Sequence, residues 1–221
     1  MLSPEQRYSL IVFDWDGTLF DSASMIVECI QDAAHELGLK VPDRERASHV
    51  IGLGLHDSLR HAVPELPRER YAEFAELYRR NFLAREPQMD LFPGVRELLA
   101  DLESEGFLLA VATGKSRRGL DRALEATGIG GHFRASRCAD ETEPKPHPAM
   151  LQELMQELSL DASRLLMVGD TSHDLGMART AGVDAVAVTY GAHPAQELRE
   201  WAPRGFVSSV GELRAWLKTN A

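Results

Sequence analysis

Tyr8-Ser9-Leu10-Ile11-Val12-Phe13, followed at once by Asp14-Trp15-Asp16-Gly17-Thr18-Leu19-Phe20-Asp21, is the stretch on which the rest of the chain is read. Five of the six residues from Tyr8 to Phe13 are apolar, with aromatic and β-branched types among them. The run is too short for a typical helix and reads as a buried strand. At Asp14 the character changes to two carboxylates, a glycine and a threonine. A strand ending in Asp-x-Asp-Gly-Thr delivers two acids to its carboxyl end and then turns, with Gly17 free to take a positive φ. That edge of an open α/β sheet is where ligands bind. The ordinary alternative is an Asp-Gly turn on a solvated loop, and the rest of the sequence decides between them.

Downstream of Asp21, Ser22 is placed to cap a helix carrying Ile26, Ile30, Ala33, Ala34 and Leu37 at helical spacing, stopped by Gly38. Residues 43–62 read as two short helices broken at Gly52-Leu53-Gly54, and 68–85 as a longer one with Tyr71, Phe74, Ala75, Tyr78 and Phe82 on one face. No strand pattern occurs between Asp21 and Pro87. From Phe92 the rhythm alternates: helix, strand 107–112, helix 116–127, weak strand 133–139, helix 148–158, strand 165–168, helix 172–181, strand 183–188, helix 194–201, and a last helix opened by the capping box Ser209 to Glu212. Alternation of this kind argues for an α/β, doubly wound, mainly parallel sheet of Rossmann-like type. The first strand is separated from the others by helix alone. The expected organisation is a core of residues 1–20 and 88–221 with a small α-helical cap domain, 21–87, inserted after the first strand and hinged near Asp21 and Pro87 to Pro93.

Composition narrows the function. The chain has 221 residues, 44% hydrophobic content and a net charge of −10, which argues against nonspecific attraction to nucleic acid or to an anionic membrane. An acidic protein that handles a phosphate must neutralise it locally, by a metal ion or a placed lysine. Cys29 and Cys138 form no CxxC pattern, so reduced thiols in the cytoplasm are expected. The N-terminus has no basic start with an apolar core, and no apolar run approaches membrane-spanning length.

Placed on this layout, Asp14 and Asp16 follow the first strand, Thr113 follows Leu109-Ala110-Val111-Ala112, Lys145 follows the weak third core strand, and Asp170 follows Leu165 to Val168. Four connections at one sheet edge thus supply three carboxylates, a hydroxyl and an ammonium. Three close carboxylates repel unless a cation sits among them. Oxygen ligands without cysteine or clustered histidine favour Mg²⁺.

Asp14-Trp15-Asp16-Gly17-Thr18, then Thr113, Lys145, and Gly169-Asp170 with Asp174, in that order, resemble the signatures of the haloacid dehalogenase superfamily. Within it the chain most resembles subfamily IA, the bacterial phosphoglycolate phosphatases and their near relatives, through Lys145-Pro146-His147-Pro148 and Thr189-Tyr190-Gly191. The resemblance implies a Mg²⁺-dependent phosphomonoester hydrolase acting on a small phosphorylated metabolite through an aspartyl-phosphate. Asp14 would be the nucleophile, and Asp16 the general acid and then base. Backbone N–H groups of Trp15 to Gly17, with Thr113, Gly114 and Lys145, would hold the phosphate. Asp14, the carbonyl of Asp16 and Asp170 would bind the metal, with Asp174 one shell further out. The acid at position 16 separates phosphatases from dehalogenases of the superfamily. Gly114 stands where those phosphatases often carry Asn, and Ala192-His193 departs from their usual continuation.

The expected partner is a small phosphorylated substrate, with no nucleic acid or membrane, in a monomer or homodimer. Alternatives are a phosphomutase of the β-phosphoglucomutase kind, a phosphatase for sugar phosphates, nucleotides or pyrophosphate, and a noncatalytic binding module. Gly52-Leu53-Gly54 lacks the third glycine of a dinucleotide fingerprint and reads either as a substrate-contacting cap loop or as a plain helix–helix turn. The eight histidines are scattered in sequence without HExxH spacing, so zinc is not expected, and His147 and His173 read as loop residues bordering the site. Arg68, Arg70, Arg79, Arg80 and Arg85 read as a solvated face, and Leu213, Trp216 and Leu217 as core.

Overall fold

The structure, a computed structural model, describes residues 6–221, so Met1 to Glu5 of the expected core lie outside the described residues. Six strands, β1 (Leu10–Phe13), β2 (Leu108–Thr113), β3 (Ala135–Cys138), β4 (Leu165–Gly169), β5 (Asp184–Val188) and β6 (Gly205–Val207), form one sheet in the order β3-β2-β1-β4-β5-β6. Every pairing is parallel. The expected α/β, doubly wound, Rossmann-like sheet is therefore present. Strand β6 is an addition to the sequence reading. Its three residues begin with a glycine and carry no alternating pattern, and only pairing with β5 makes them a strand.

Register explains why β1 organises the sheet. Phe13 lies opposite both Val111 and Val168, so the residues that follow β1 emerge beside the carboxyl ends of its two neighbours. Alternate residues face opposite sides. Ile11, Phe13, Leu109, Val111, Leu166 and Val168 pack on α5 (Val95–Ser104), α6 (Arg117–Thr127) and α10 (Val210–Asn220). Leu10, Val12, Ala110, Ala112, Leu165 and Met167 pack on α7 (Ala149–Leu158), α8 (Ser172–Ala181) and α9 (Ala195–Arg199). Leu213 and Leu217 are buried, as expected for core residues.

Between β1 and α5 the chain is helical: α1 (Ala23–Glu36), α2 (Arg44–His49), α3 (Leu55–Ala62) and α4 (Tyr71–Arg85). These helices share an apolar cluster of their own, including Ile26, Ile30, Ala33, Leu59, Phe74 and Phe82. The chain leaves and re-enters the sheet side by side: Asp21 N–H donates to Asp90 O (3.0 Å) and Phe92 N–H to Leu19 O (3.0 Å). Arg70, Arg79, Arg80 and Arg85 are each paired with an acid, Glu73, Glu76, Glu36 and Asp32 respectively. No helix among the described residues is long and apolar enough to cross a membrane.

Candidate active site

The chain order reverses between β1 and its neighbour β4, which opens a crevice at the carboxyl ends of the strands. Asp14 enters that crevice directly from β1, its N–H held by Val168 O at 2.9 Å. Asp170 follows β4, and Asp174 sits in the first turn of α8. Oxygen atoms of Asp14, Asp170 and Asp174 lie within 4.8 Å of one another. Lys145 completes the group, with Nζ 2.7 Å from Asp14 Oδ1 and 2.6 Å from Asp174 Oδ1. All four side chains are at most 1% exposed.

Each carboxylate is held differently. Asp170 Oδ1 accepts from Thr18 Oγ1 (2.7 Å) and Oδ2 from Ala192 N–H (2.7 Å). Asp174 Oδ2 accepts from Thr171 N–H (3.0 Å) and Thr171 Oγ1 (2.6 Å), closing a capping box on α8. Asp14 Oδ1 meets the Lys145 ammonium, and its Oδ2 has no hydrogen-bond partner. The ammonium has three N–H donors and bridges Asp14 and Asp174. A buried carboxylate oxygen without a donor is costly. Burial, then the charges of Asp174 and Asp170, push the Asp14 carboxyl well above the usual range against the pull of Lys145. Burial and Asp174 likewise raise Asp170 to about 7. Burial opposes the Lys145 ammonium, but Asp14 and Asp174 outweigh it and its pKa is raised. Three acids thus face one ammonium, and Asp14 Oδ2 is left without a partner. The all-oxygen donors and the uncompensated negative charge fit a hard divalent cation such as Mg²⁺.

Asp16, two residues beyond Asp14, points elsewhere. Its Oδ1 accepts from Ser22 Oγ (2.7 Å) and lies 3.1 Å from Lys115 Nζ, which also sits 4.7 Å from the Phe82 ring centroid. Gly17 has φ +84, and a Cβ there would collide with the Asp170 carboxylate. Its N–H donates to Phe20 O (2.9 Å) within the turn. The Trp15 side chain is fully buried and stacks on Phe20. Thr113 ends β2, buried, and its Oγ1 accepts from Lys115 N–H (3.2 Å).

Helical residues close over this group. A Cβ on Gly114 would stand 2.5 Å from Gly52 O, so only glycine lets the loop between α2 and α3 lie on the end of β2. Gly54 in the same loop packs on Pro144, beside Lys145. Gly52-Leu53-Gly54 is thus more than a helix–helix turn: it rests on two of the loops that carry the acidic site. His147 is exposed, whereas His173 is buried and donates toward His49 O.

Sequence reading brought out Asp14, Asp16, Thr113, Lys145, Asp170 and Asp174. It gave no site role to Lys115, Thr18, Ser22 or Phe82, reading Ser22 as a helix cap and Phe82 as part of an apolar face. Lys115 stands two residues after Thr113 with no pattern to separate it from a solvated charge.

Comparisons with known proteins identify the family and the fold. The model of the haloacid dehalogenase-like hydrolase family matches residues 11–188. The chain is 37% identical over 210 residues to a probable phosphatase, IndB, of Dickeya dadantii (strain 3937), covering 92% of this chain and 91% of that one. It is 38% identical over 192 residues to the tyrosine-protein kinase PtkA of Mycobacterium tuberculosis (strain ATCC 25618 / H37Rv), covering 86% of this chain but spanning only 65% of PtkA. It is 30% identical over 218 residues to phosphoglycolate phosphatase of Vibrio parahaemolyticus serotype O3:K6 (strain RIMD 2210633), covering 95% and 96% of the two chains. The crystal structure of a predicted phosphoglycolate phosphatase from Haemophilus somnus 129PT superposes with TM-score 0.87 at 26% identity, covering 98% of this chain and all of the other.

Proposed function

The chain belongs to the haloacid dehalogenase-like hydrolases and is a phosphatase, and on that premise we propose that it is a Mg²⁺-dependent phosphomonoester hydrolase working through an aspartyl-phosphate on Asp14. The observation that carries this reading is the buried carboxylate of Asp14 at the switch point, paired with Lys145 at one oxygen, unpartnered at the other, and beside Asp170 and Asp174.

Asp14, the carbonyl of Asp16 and Asp170 would hold Mg²⁺, with Asp174 beside them. The ion would keep Asp14 ionised and neutralise phosphate oxygens. Asp14 Oδ attacks phosphorus in line with the ester oxygen, which leaves with a proton from Asp16. Asp16 then takes a proton from water, which attacks the acyl phosphate, frees Asp14 and yields inorganic phosphate. Lys145, fixed by Asp174, carries positive charge to the phosphoryl oxygens, and Thr113 Oγ1 with the Gly114 N–H adds donors. The Gly17 N–H is engaged inside its turn, which leaves those of Trp15 and Asp16 to cradle the phosphate.

Residues 21–87 act as the cap domain over the core of 88–221 and the β1 segment. The acids are sealed under the loop at Gly52, so the cap must swing about the paired junctions at Asp21 and Asp90 to admit substrate. A site this enclosed suits a small phosphorylated metabolite. The phosphoglycolate phosphatase likeness nominates a short phosphorylated acid.

The test is phosphate release from a panel containing phosphoglycolate, sugar phosphates, nucleotides and pyrophosphate, with Mg²⁺ and with EDTA. Mg²⁺-dependent release from small monoesters is expected. Equal release in EDTA would exclude the metal, and turnover only with a bisphosphate primer would indicate a mutase.

A further inference from the structure

Three histidines that no spacing connects meet where the helical segment touches the core. His49 ends α2, His173 lies in the first turn of α8, and His193 precedes α9. Each offers a ring nitrogen, and these nitrogens lie within 4.8 Å of one another. The ring centroid of His193 stands 5.0 Å from those of both His49 and His173. Glu197, four residues beyond His193, brings Oε1 to 3.3 Å from His193 Nδ1 and 3.9 Å from His49 Nδ1.

The hydrogen bonds indicate which nitrogens carry lone pairs. Nε2 of His173 (2.7 Å) and Nε2 of His193 (3.2 Å) both face His49 O, a carbonyl that can only accept. His193 Nδ1 accepts from Ser172 N–H (3.1 Å), so it bears a lone pair. Neutral imidazole is the ligating form.

Donors of a four-coordinate ion with bonds of about 2.0–2.1 Å stand roughly 3.3–3.4 Å apart. The His193–Glu197 separation already meets that spacing, and His49 is within a small side-chain rotation of it. His49, His193 and Glu197 line one open cavity of about 890 Å³, which gives an ion an entry path. Coordination at His193 Nδ1 would displace the Ser172 N–H and the Ser172 Oγ 3.2 Å from the same nitrogen, two neutral contacts, in exchange for a metal–nitrogen bond.

We propose that His49, His193 and Glu197, with His173 as the further nitrogen within reach, form a second metal site for a divalent transition ion of the zinc class. Imidazole and carboxylate donors suit such ions, whereas Mg²⁺ prefers the all-oxygen site. One ligand lies on α2 and the others on the core. An ion bound there ties the helical segment down and, on the premise that residues 21–87 are a moving cap, slows opening of the site.

The test uses the full chain carrying Asp170→Asn, which weakens the acidic site, in excess Mg²⁺, titrated with Co²⁺ and then Zn²⁺. One equivalent of Co²⁺ with the intense visible absorption of four-coordinate geometry, displaced by Zn²⁺, is expected. Adding His49→Ala and Glu197→Gln, both at partly exposed positions, should weaken binding at least about tenfold. Absence of that spectrum, or affinity unchanged by the two substitutions, overturns the site. With Asp170 intact and excess Mg²⁺, Zn²⁺ should inhibit turnover at least about tenfold more weakly in His49→Ala. Equal inhibition overturns the closing effect. Because binding is read from absorption and not from turnover, failure of this site is distinguishable from failure of the phosphatase reading.

Discussion

Lys115 Nζ stands 3.1 Å from Asp16 Oδ1, both side chains only 11% exposed, and the pair lies against Phe82 of α4. The proposed proton carrier is therefore held by a core lysine that itself rests on a helical-segment ring. This contact joins the two parts of the molecule at the residue whose proton would move. Replacing Lys115 with methionine keeps the stem on Phe82 and removes the charge. The expected result is a fall in kcat of about tenfold or more, since charged hydrogen bonds contribute roughly 1.5–3 kcal/mol, with a smaller change in KM. Steady-state kinetics on the best substrate of the panel decides it, and unchanged kcat would show that Lys115 does not position Asp16.

Asp14→Asn should abolish turnover while leaving the fold intact. Asn is isosteric and neutral, and burial already disfavours the ionised form of Asp14. In EDTA near pH 7 the variant should therefore melt no lower than the parent by circular dichroism. Retained Mg²⁺-dependent phosphate release would remove Asp14 as nucleophile.

Removing Lys145 leaves Asp14, Asp170 and Asp174 buried with no counter-charge. Breaking a buried pair by deleting one partner costs about 3–5 kcal/mol. Lys145→Ala in EDTA should lose stability of that order in urea unfolding, and saturating Mg²⁺ should restore part of it. A midpoint equal to the parent's would mean that the three acids are already neutral and that Lys145 balances no buried charge.

The sequence made the sheet and most of the acidic site readable because their signals are local. An apolar run that breaks into Asp-x-Asp-Gly-Thr, or Leu165 to Val168 followed by Gly169-Asp170, declares strand, turn and acid together. Strand β6 did not declare itself, since Gly205 to Val207 is a strand only by lying beside β5. Lys115 and the histidines were illegible for a related reason. His49, His173 and His193 are brought together by the seating of α2 on the core, and no spacing encodes that contact. Gly114 looked like a departure from a family habit, and only the approach of Gly52 O gives it a physical cause.

That approach is testable. Gly114→Ala places a methyl about 2.5 Å from a backbone oxygen that cannot rotate away, so the loop at Gly52 must lift. Hydrogen exchange at residues 52–54 should accelerate and kcat/KM should fall, with little change in urea stability because the sheet is untouched. Normal exchange and normal kinetics in the variant would show that the loop does not need to seat there.

The pH dependence of stability follows from Asp170. Its pKa rises from 3.8 in the unfolded chain to about 7 in the folded one, through burial and then Asp174. Between those values the folded protein keeps a proton that the unfolded chain has lost. The linkage relation then makes this group's contribution greatest on the acid side and removes it as pH rises toward 7. The effect is on the order of a few kcal/mol. Other acids with lowered pKa values, such as Glu141 and Glu153, act in the opposite direction, so the parent is compared with Asp170→Asn, which shares them. In EDTA the parent's urea midpoint should fall relative to the variant's from pH 4 to 7.5. Saturating Mg²⁺ should reverse the difference above pH 7, because the ion selects the ionised carboxylate. Parallel curves under both conditions would show that Asp170 titrates as an ordinary exposed acid and holds no cation.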